Sequence, residues 1–164
     1  MAVATFVKEA PQSYDLTMLG LKYYETGERK MKELVIDAVT ENLDAVMGFI
    51  TEQLEAVDCS MKALMQIEVA VEELFVNIAH YAYAPKTGTA TIQTEINADN
   101  ADITFIDSGM QYDPLAKPDP DVSLPASERQ IGGLGIFMVK KSMDDMRYEY
   151  RNGKNILTIT KKLS

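Results

Sequence analysis

The run SMKALMQIEVAVEELFVNIAHYAY, from Ser60 to Tyr83, restricts the possible folds more than any other stretch of the chain. Leu64, Ile67, Val71, Leu74 and Ile78 step by three and four, which predicts an α-helix with one buried stripe. Such a helix needs a layer to lie on. Glu73, Asn77 and His80 keep the same spacing on a second face. At about 100° per residue that face lies ~120° around from the centre of the stripe. A carboxylate and a carboxamide one turn apart therefore look out together from a helix whose other side is core. Two readings stand open here. The carboxylate can polarise a water beside an amide oxygen suited to Mg²⁺, or the pair is simply a solvated polar face.

The flanking segments supply the layer. Lys32–Ala38 alternates and is apolar enough for a strand, and Thr40 is placed to cap a helix from Glu41 to about Val57, with Leu43, Val46, Met47, Ile50 and Leu54 on one face. Ser60 caps the long helix, which Pro85 must end. Thr89–Ile96 and Asp102–Ile106 read as strands with a turn at Asn97–Asn100. From Ser108 to Gln130 the pattern stops, and Pro114, Pro118, Pro120 and Pro125 punctuate a stretch too polar to pack and longer than an ordinary connection. A helix from Leu134 to about Met143 follows. Asp145–Arg151 and Asn155–Lys162 then flank Asn152-Gly153, the dipeptide most favoured between twisted antiparallel strands. Lys161 and Lys162 read as a solvated strand end. The predicted class is α+β: a two-layer sandwich with helices on one face of a mixed, mostly antiparallel sheet.

A chain of 164 residues suits one domain with a sizeable core. The net charge of -9 argues against a general nucleic-acid surface, yet leaves room for a nucleotide held by backbone N–H groups and a metal. No apolar run reaches ~18 residues, so no membrane span is expected. A lone Cys59 excludes an internal disulfide, fits a reducing cytoplasm, and reads as a small structural thiol. Residues 1–30 carry no sustained period, although Leu16–Tyr24 is compatible with a short helix. They read either as an N-terminal extension of a 31–164 domain or as a mis-assigned start. Codons for Gly27-Glu28 can spell a purine-rich ribosome-binding site just ahead of Met31, and mass spectrometry of the native protein distinguishes the two.

Three clusters occur in order: Glu73-x-x-x-Asn77 on a helix, Asp107-Ser108-Gly109 at a strand end, and Gly132-Gly133-Leu134-Gly135 opening a helix. The last lets backbone approach a phosphate at a helix N-terminus. It is neither a Walker A loop nor a dinucleotide fingerprint, having no Gly-Lys-Ser/Thr and no strand leading directly into it. With the proline-studded loop between the second and third, the set resembles the GHKL family of ATPases (gyrase, the ninety-kilodalton heat-shock chaperone, histidine kinases, mismatch-repair ATPases). Within it the chain is most similar to the anti-sigma-factor serine-protein kinases. EELFVNIAHYAY looks like their N box, IDSGMQYDP their first glycine box and ERQIGGLGIFMVKK their second, and the likeness covers essentially Lys32 to Leu163.

The resemblance implies the Bergerat (GHKL) sandwich and a set of roles. Asn77 would hold Mg²⁺, and Glu73 would orient or activate the attacking nucleophile. Asp107 would accept a hydrogen bond from the adenine amino group, and Gly109 would leave room for the ring. Gly133 and Gly135 would be the hinge that closes a lid, running from Gln111 to Ile131, over the phosphates, and Gly132 and Leu134 would bind nucleotide beside them. Arg129 is the candidate for an arginine that precedes the second glycine box, although the spacing here is a residue longer. His80 stands one place before the position expected for a histidine after the N-box Asn, and either helps orient Glu73 or is merely packed. The implied function is a cytoplasmic regulatory serine kinase that uses ATP and Mg²⁺. It would sequester a sigma factor or similar target, phosphorylate a STAS-type antagonist, and form a homodimer. The alternative is a nucleotide-sensing module that holds a partner without phosphorylating it.

Overall fold

The computed structural model describes residues 4–6, 20–26, 29–116, 118, 123 and 134–164. Within them the strands are β1 (Ala4–Phe6), β2 (Gly20–Thr26), β3 (Arg29–Asp37), β4 (Thr89–Ile96), β5 (Asn100–Asp107), β6 (Asp145–Arg151) and β7 (Lys154–Lys162). The helices are α1 (Leu43–Ala56), α2 (Met61–Asn77) and α3 (Leu134–Ser142). The strands form one sheet in the order β1-β2-β3-β4-β5-β7-β6, antiparallel at every described pair. With the helices packed on it, this is the expected α+β sandwich. The short helix compatible with Leu16–Tyr24 does not form in its described part. Gly20–Thr26 is a strand instead, paired along its whole length with β3.

Register explains where the core sits. Leu34, Ile92, Phe105 and Leu157 lie opposite one another across β3, β4, β5 and β7, and all are buried. Side chains alternate faces along a strand, so this row and its neighbours two residues away define the covered face. All three helices contribute to the same cluster: Val46, Ile50 and Leu54 from α1, Ile67, Val71, Leu74 and Phe75 from α2, and Ile136 and Val139 from α3. Full burial of side chains such as Ile67 or Phe75 is worth roughly 1.5–3 kcal/mol each, which makes α2 the keel of the helical layer. Gln53 and Thr94 are a buried polar pair under the helices. Thr94 Oγ1 donates to Gln53 Oε1 at 2.8 Å and Gln53 Nε2 to the Phe49 carbonyl at 2.8 Å, so neither is buried without a partner.

Helix starts differ in how they are satisfied. Ser60 Oγ accepts from the Ala63 N–H at 3.1 Å, the expected cap, and the Ser60 N–H is tied to the Leu163 carbonyl at 3.0 Å. Thr40, by contrast, does not cap α1. Residues Thr40–Asn42 form a 3₁₀ turn, and Asn42 Nδ2 reaches back to the Asp37 carbonyl at 2.9 Å, so the turn rather than a hydroxyl closes the helix entrance. Lys161 is more than a solvated strand end. Its Nζ donates to the Ser142 carbonyl at 2.7 Å, satisfying a terminal carbonyl of α3. The β6–β7 turn is as expected, with Asn152 and Gly153 both left-handed at φ 55° and 75°.

Candidate functional site

The long helix changes character where its polar residues cluster. The α-helix ends at Asn77, and Ile78–Ala82 continues as one wide π turn. A π turn shifts everything beyond it around the axis. Tyr81 and Ala82 thereby join the wall of a cavity, while His80 is exposed and packs edge-on against Tyr81, ring centres 5.8 Å apart. Among the described residues His80 has no contact with Glu73, so its orienting role is not supported. The turn also frees the Ala82 carbonyl, which accepts the Met110 N–H at 2.8 Å. Tyr83 completes the junction: its hydroxyl donates to the Thr89 carbonyl at 2.6 Å and accepts the Ser108 N–H at 2.7 Å. Burial raises the pKa of this phenol above its ordinary value, which keeps the brace protonated.

The cavity, of about 430 Å³, lies between α2, α3 and the ends of β5, β6 and β7. That is within the usual size of small-molecule sites. Leu74, Ile78, Phe105, Ile136 and Leu157 make its apolar wall, and Asn77 and Asp107 are among its polar lining. Two of the residues singled out by sequence therefore face one space, although thirty positions separate them in the chain.

Gly109 and Gly135 serve by what they lack. A Cβ at Gly109 would overlap the Ala82 carbonyl oxygen and come within 2.6 Å of its carbon. The segment after β5 can therefore press against the end of the long helix only with glycine there. A Cβ at Gly135 would collide with the Glu73 carboxylate, reaching its Cδ at 2.9 Å. The start of α3 thus lies directly on that carboxylate. Leu134 opens α3 with an exposed side chain outside the cavity wall. Arg129, Gly132 and Gly133 lie outside the described residues, as does most of the expected lid. Its described root is not too polar to pack: Pro114 is buried and lines the cavity with Tyr112, and Asp113 Oδ1 accepts the Leu115 N–H at 2.8 Å.

At the end of β5, Asp107 is 7% exposed and stands directly opposite Asn155 of β7. Its Oδ1 accepts from the Gly109 N–H and from Asn155 Nδ2, both at 2.9 Å. Asn155, 6% exposed, was not among the sequence candidates, nor were Tyr148 and Tyr112, which line the same cavity. A signal for Asn155 did exist. In the alternating strand Asn155-x-Leu157-x-Ile159 it occupies an inward position, where a polar side chain requires a partner.

Among the described residues no cluster of three or more His, Cys, Asp or Glu could hold a metal. One amide oxygen with one carboxylate a turn away instead fits a Mg²⁺ carried in on a phosphate ligand, since that ion keeps few protein ligands beside phosphates and water. Cys59 packs against the core. Burial first, then the nearby carboxylates of Glu55, Asp58 and Glu68, push its thiol pKa up, as befits a structural cysteine. No described helix is long and apolar enough to cross a membrane.

Comparison with known proteins agrees with this geometry. The histidine kinase-like ATPase domain model matches residues 36–161. The chain is 27% identical over 103 residues to the serine-protein kinase RsbW of Listeria monocytogenes, covering 60% of this chain and 66% of that protein. It is 26% identical over 115 residues to the protein of the same name from Bacillus cereus, covering 68% of this chain and 66% of the relative. It thus spans just under two thirds of the length of these relatives.

Proposed function

The chain belongs to the histidine kinase-like ATPase domain family, and on that premise we propose that its 31–164 domain is a Mg·ATP-dependent regulatory serine-protein kinase. In this reading it is an anti-sigma factor that sequesters a sigma factor or similar regulator and phosphorylates a serine of a STAS-type antagonist. The names of the relatives lend the activity; the chemistry rests on this chain's own residues.

Asp107 accepts from an exocyclic amino group through its carboxylate, and the apolar wall from Phe105 to Leu157 encloses the base. Asn77 would hold Mg²⁺ through its amide oxygen, and that ion would supply charge neutralisation to the phosphates. Glu73 would take the proton of the serine hydroxyl as its oxygen bonds the γ-phosphorus and the bond to the β-phosphate oxygen breaks to release ADP, a transfer that demands positioning and charge compensation above all. The start of α3 lies against Glu73 through Gly135, and a helix N-terminus favours developing negative charge. In the same reading Arg129 belongs to the lid, and Gly132, Gly133 and Leu134 bind nucleotide at its hinge. The observation that carries most weight is the packing of Gly135 on the Glu73 carboxylate, one turn from Asn77 on the cavity wall. It sets Gly135, the described glycine of the second cluster, against the helix pair.

Purified protein, Mg²⁺ and γ-labelled ATP, incubated with each small STAS-domain protein of the same genome, test the proposal. Label on one serine of one partner is the expected result. Tight ATP binding without label on any partner transfers the assignment to a nucleotide-sensing module. Size measurement in solution, with and without ATP, tests the accompanying expectation of a homodimer.

A further inference from the structure

We propose that Asn155, held by the Tyr148 hydroxyl, is the positioning residue that aims Asp107 at the base and so sets the preference for a 6-amino purine over a 6-oxo purine. This deepens the nucleotide-site reading above and rests on it.

A carboxamide has two N–H donors and an oxygen with two lone pairs. Asn155 uses all of them. Nδ2 donates to Asp107 Oδ1 and to the Met110 carbonyl, each at 2.9 Å. Oδ1 accepts from the Tyr112 N–H at 3.0 Å and from the Tyr148 hydroxyl at 2.6 Å. Both groups facing Nδ2 are pure acceptors and both facing Oδ1 are donors. A flipped amide would therefore set oxygen against a carboxylate and a carbonyl, and only one orientation is tolerable. Burial raises the Tyr148 pKa, so its hydroxyl stays a donor throughout the neutral range.

The consequence falls on Asp107. With Oδ1 committed to Gly109 and Asn155, the carboxylate is locked in rotation, and among the described residues Oδ2 takes no hydrogen bond. Asp107 lines the cavity, so a ligand there meets an acceptor of set direction. An exocyclic amino group satisfies it. A 6-oxo group would put two acceptors in opposition, at the cost of an unpaired polar atom. The same amide also grips the backbone on both sides of Gln111, at Met110 and Tyr112. The root of the following loop and the base-reading carboxylate are therefore one mechanical unit.

The test uses the full chain with Mg²⁺ and ATP or GTP fluorescently labelled on the ribose, leaving the base intact. It compares wild type, Tyr148→Phe and Asn155→Ala. The wild type is expected to prefer ATP. Tyr148→Phe should weaken ATP about fivefold, the net worth of one hydrogen bond, and leave GTP within about twofold. Asn155→Ala should lose at least about tenfold of the ATP-to-GTP ratio. Tyr148→Phe removes a single oxygen, so it keeps the test decisive if Asn155→Ala fails to fold. An unchanged ratio in Tyr148→Phe overturns the proposal and leaves the nucleotide site standing. A parallel loss of both nucleotides also overturns it, as the mark of a merely structural amide. A wild type that binds neither nucleotide overturns the nucleotide reading itself, and this inference with it.

Discussion

The two ends of the cavity are held in opposite ways. Around Asp107 and Asn155, backbone and side chains from β5, β6, β7 and the loop root are stitched together by five hydrogen bonds of 2.6 to 3.0 Å. Around Glu73 and Asn77, neither side chain hydrogen-bonds to any described residue, and among these residues the helix backbone and, for Glu73, the packing of Gly135 position them. In the proposed function the difference follows from what each end would do. Telling one neutral base from another requires donors and acceptors aimed in advance, because reorientation would erase the discrimination. Compensating phosphate charge requires groups not already committed to the protein, since their partners arrive with the ligand.

The largest effect expected from breaking this division is at Glu73. Glu73→Ala should lower phosphoryl transfer on the order of a thousandfold while ATP affinity stays within about twofold, because a general base acts on the reacting proton and not on the bound base. Rate and affinity measured on the same preparation check this, and wild-type activity in the variant removes the role assigned to that carboxylate. Gly135→Ala comes next. Its Cβ must displace the carboxylate it overlaps, so transfer should fall on the order of a hundredfold with nucleotide still bound. Asn77→Ala should bring the affinity measured with Mg²⁺ down to that measured with a chelator, a loss of at least about tenfold; an unchanged gap between the two titrations assigns the metal elsewhere.

The smallest effect concerns the brace at the base end. The folded pKa of Tyr83 is raised, chiefly by burial. Its contribution to stability is therefore fully present below the unfolded value near 10 and is lost as pH rises through the folded value. Thermal midpoints between about pH 9 and 11 should fall less steeply for Tyr83→Phe than for wild type. Equal slopes would mean that the phenol ionises without consequence for the fold.

Much of this was legible along the chain. The stripe from Leu64 to Ile78, the strand at Thr89–Ile96, the Ser60 cap and the Asn152-Gly153 turn all formed as expected, because each depends on neighbours a few residues away. Glu73, Asn77, Asp107 and the glycines were visible for a different reason. Each cluster alone suits a solvated helix face or an ordinary turn, and it was their order along the chain, resembling the GHKL boxes, that singled them out. Thr40 misled because a hydroxyl before a helix is only one way to close its entrance, and here the 3₁₀ turn Thr40–Asn42 did so, tied to β3 by Asn42 Nδ2 donating to the Asp37 carbonyl.

Local pattern thus set the elements, the covered face of each, and the identity of the groups able to carry chemistry. It could not set which of those groups meet. That Asn155 stands opposite Asp107 depends on the pairing of β5 with β7, across 48 residues of chain. That Gly135 must be glycine depends on where α3 lands on α2, and that the Ala82 carbonyl of the π turn takes the Met110 N–H depends on where the segment after β5 meets it. Periodicity records what a residue buries, which a single strand or helix decides alone. Partners in register are decided only when the whole sheet and its helices close on one another.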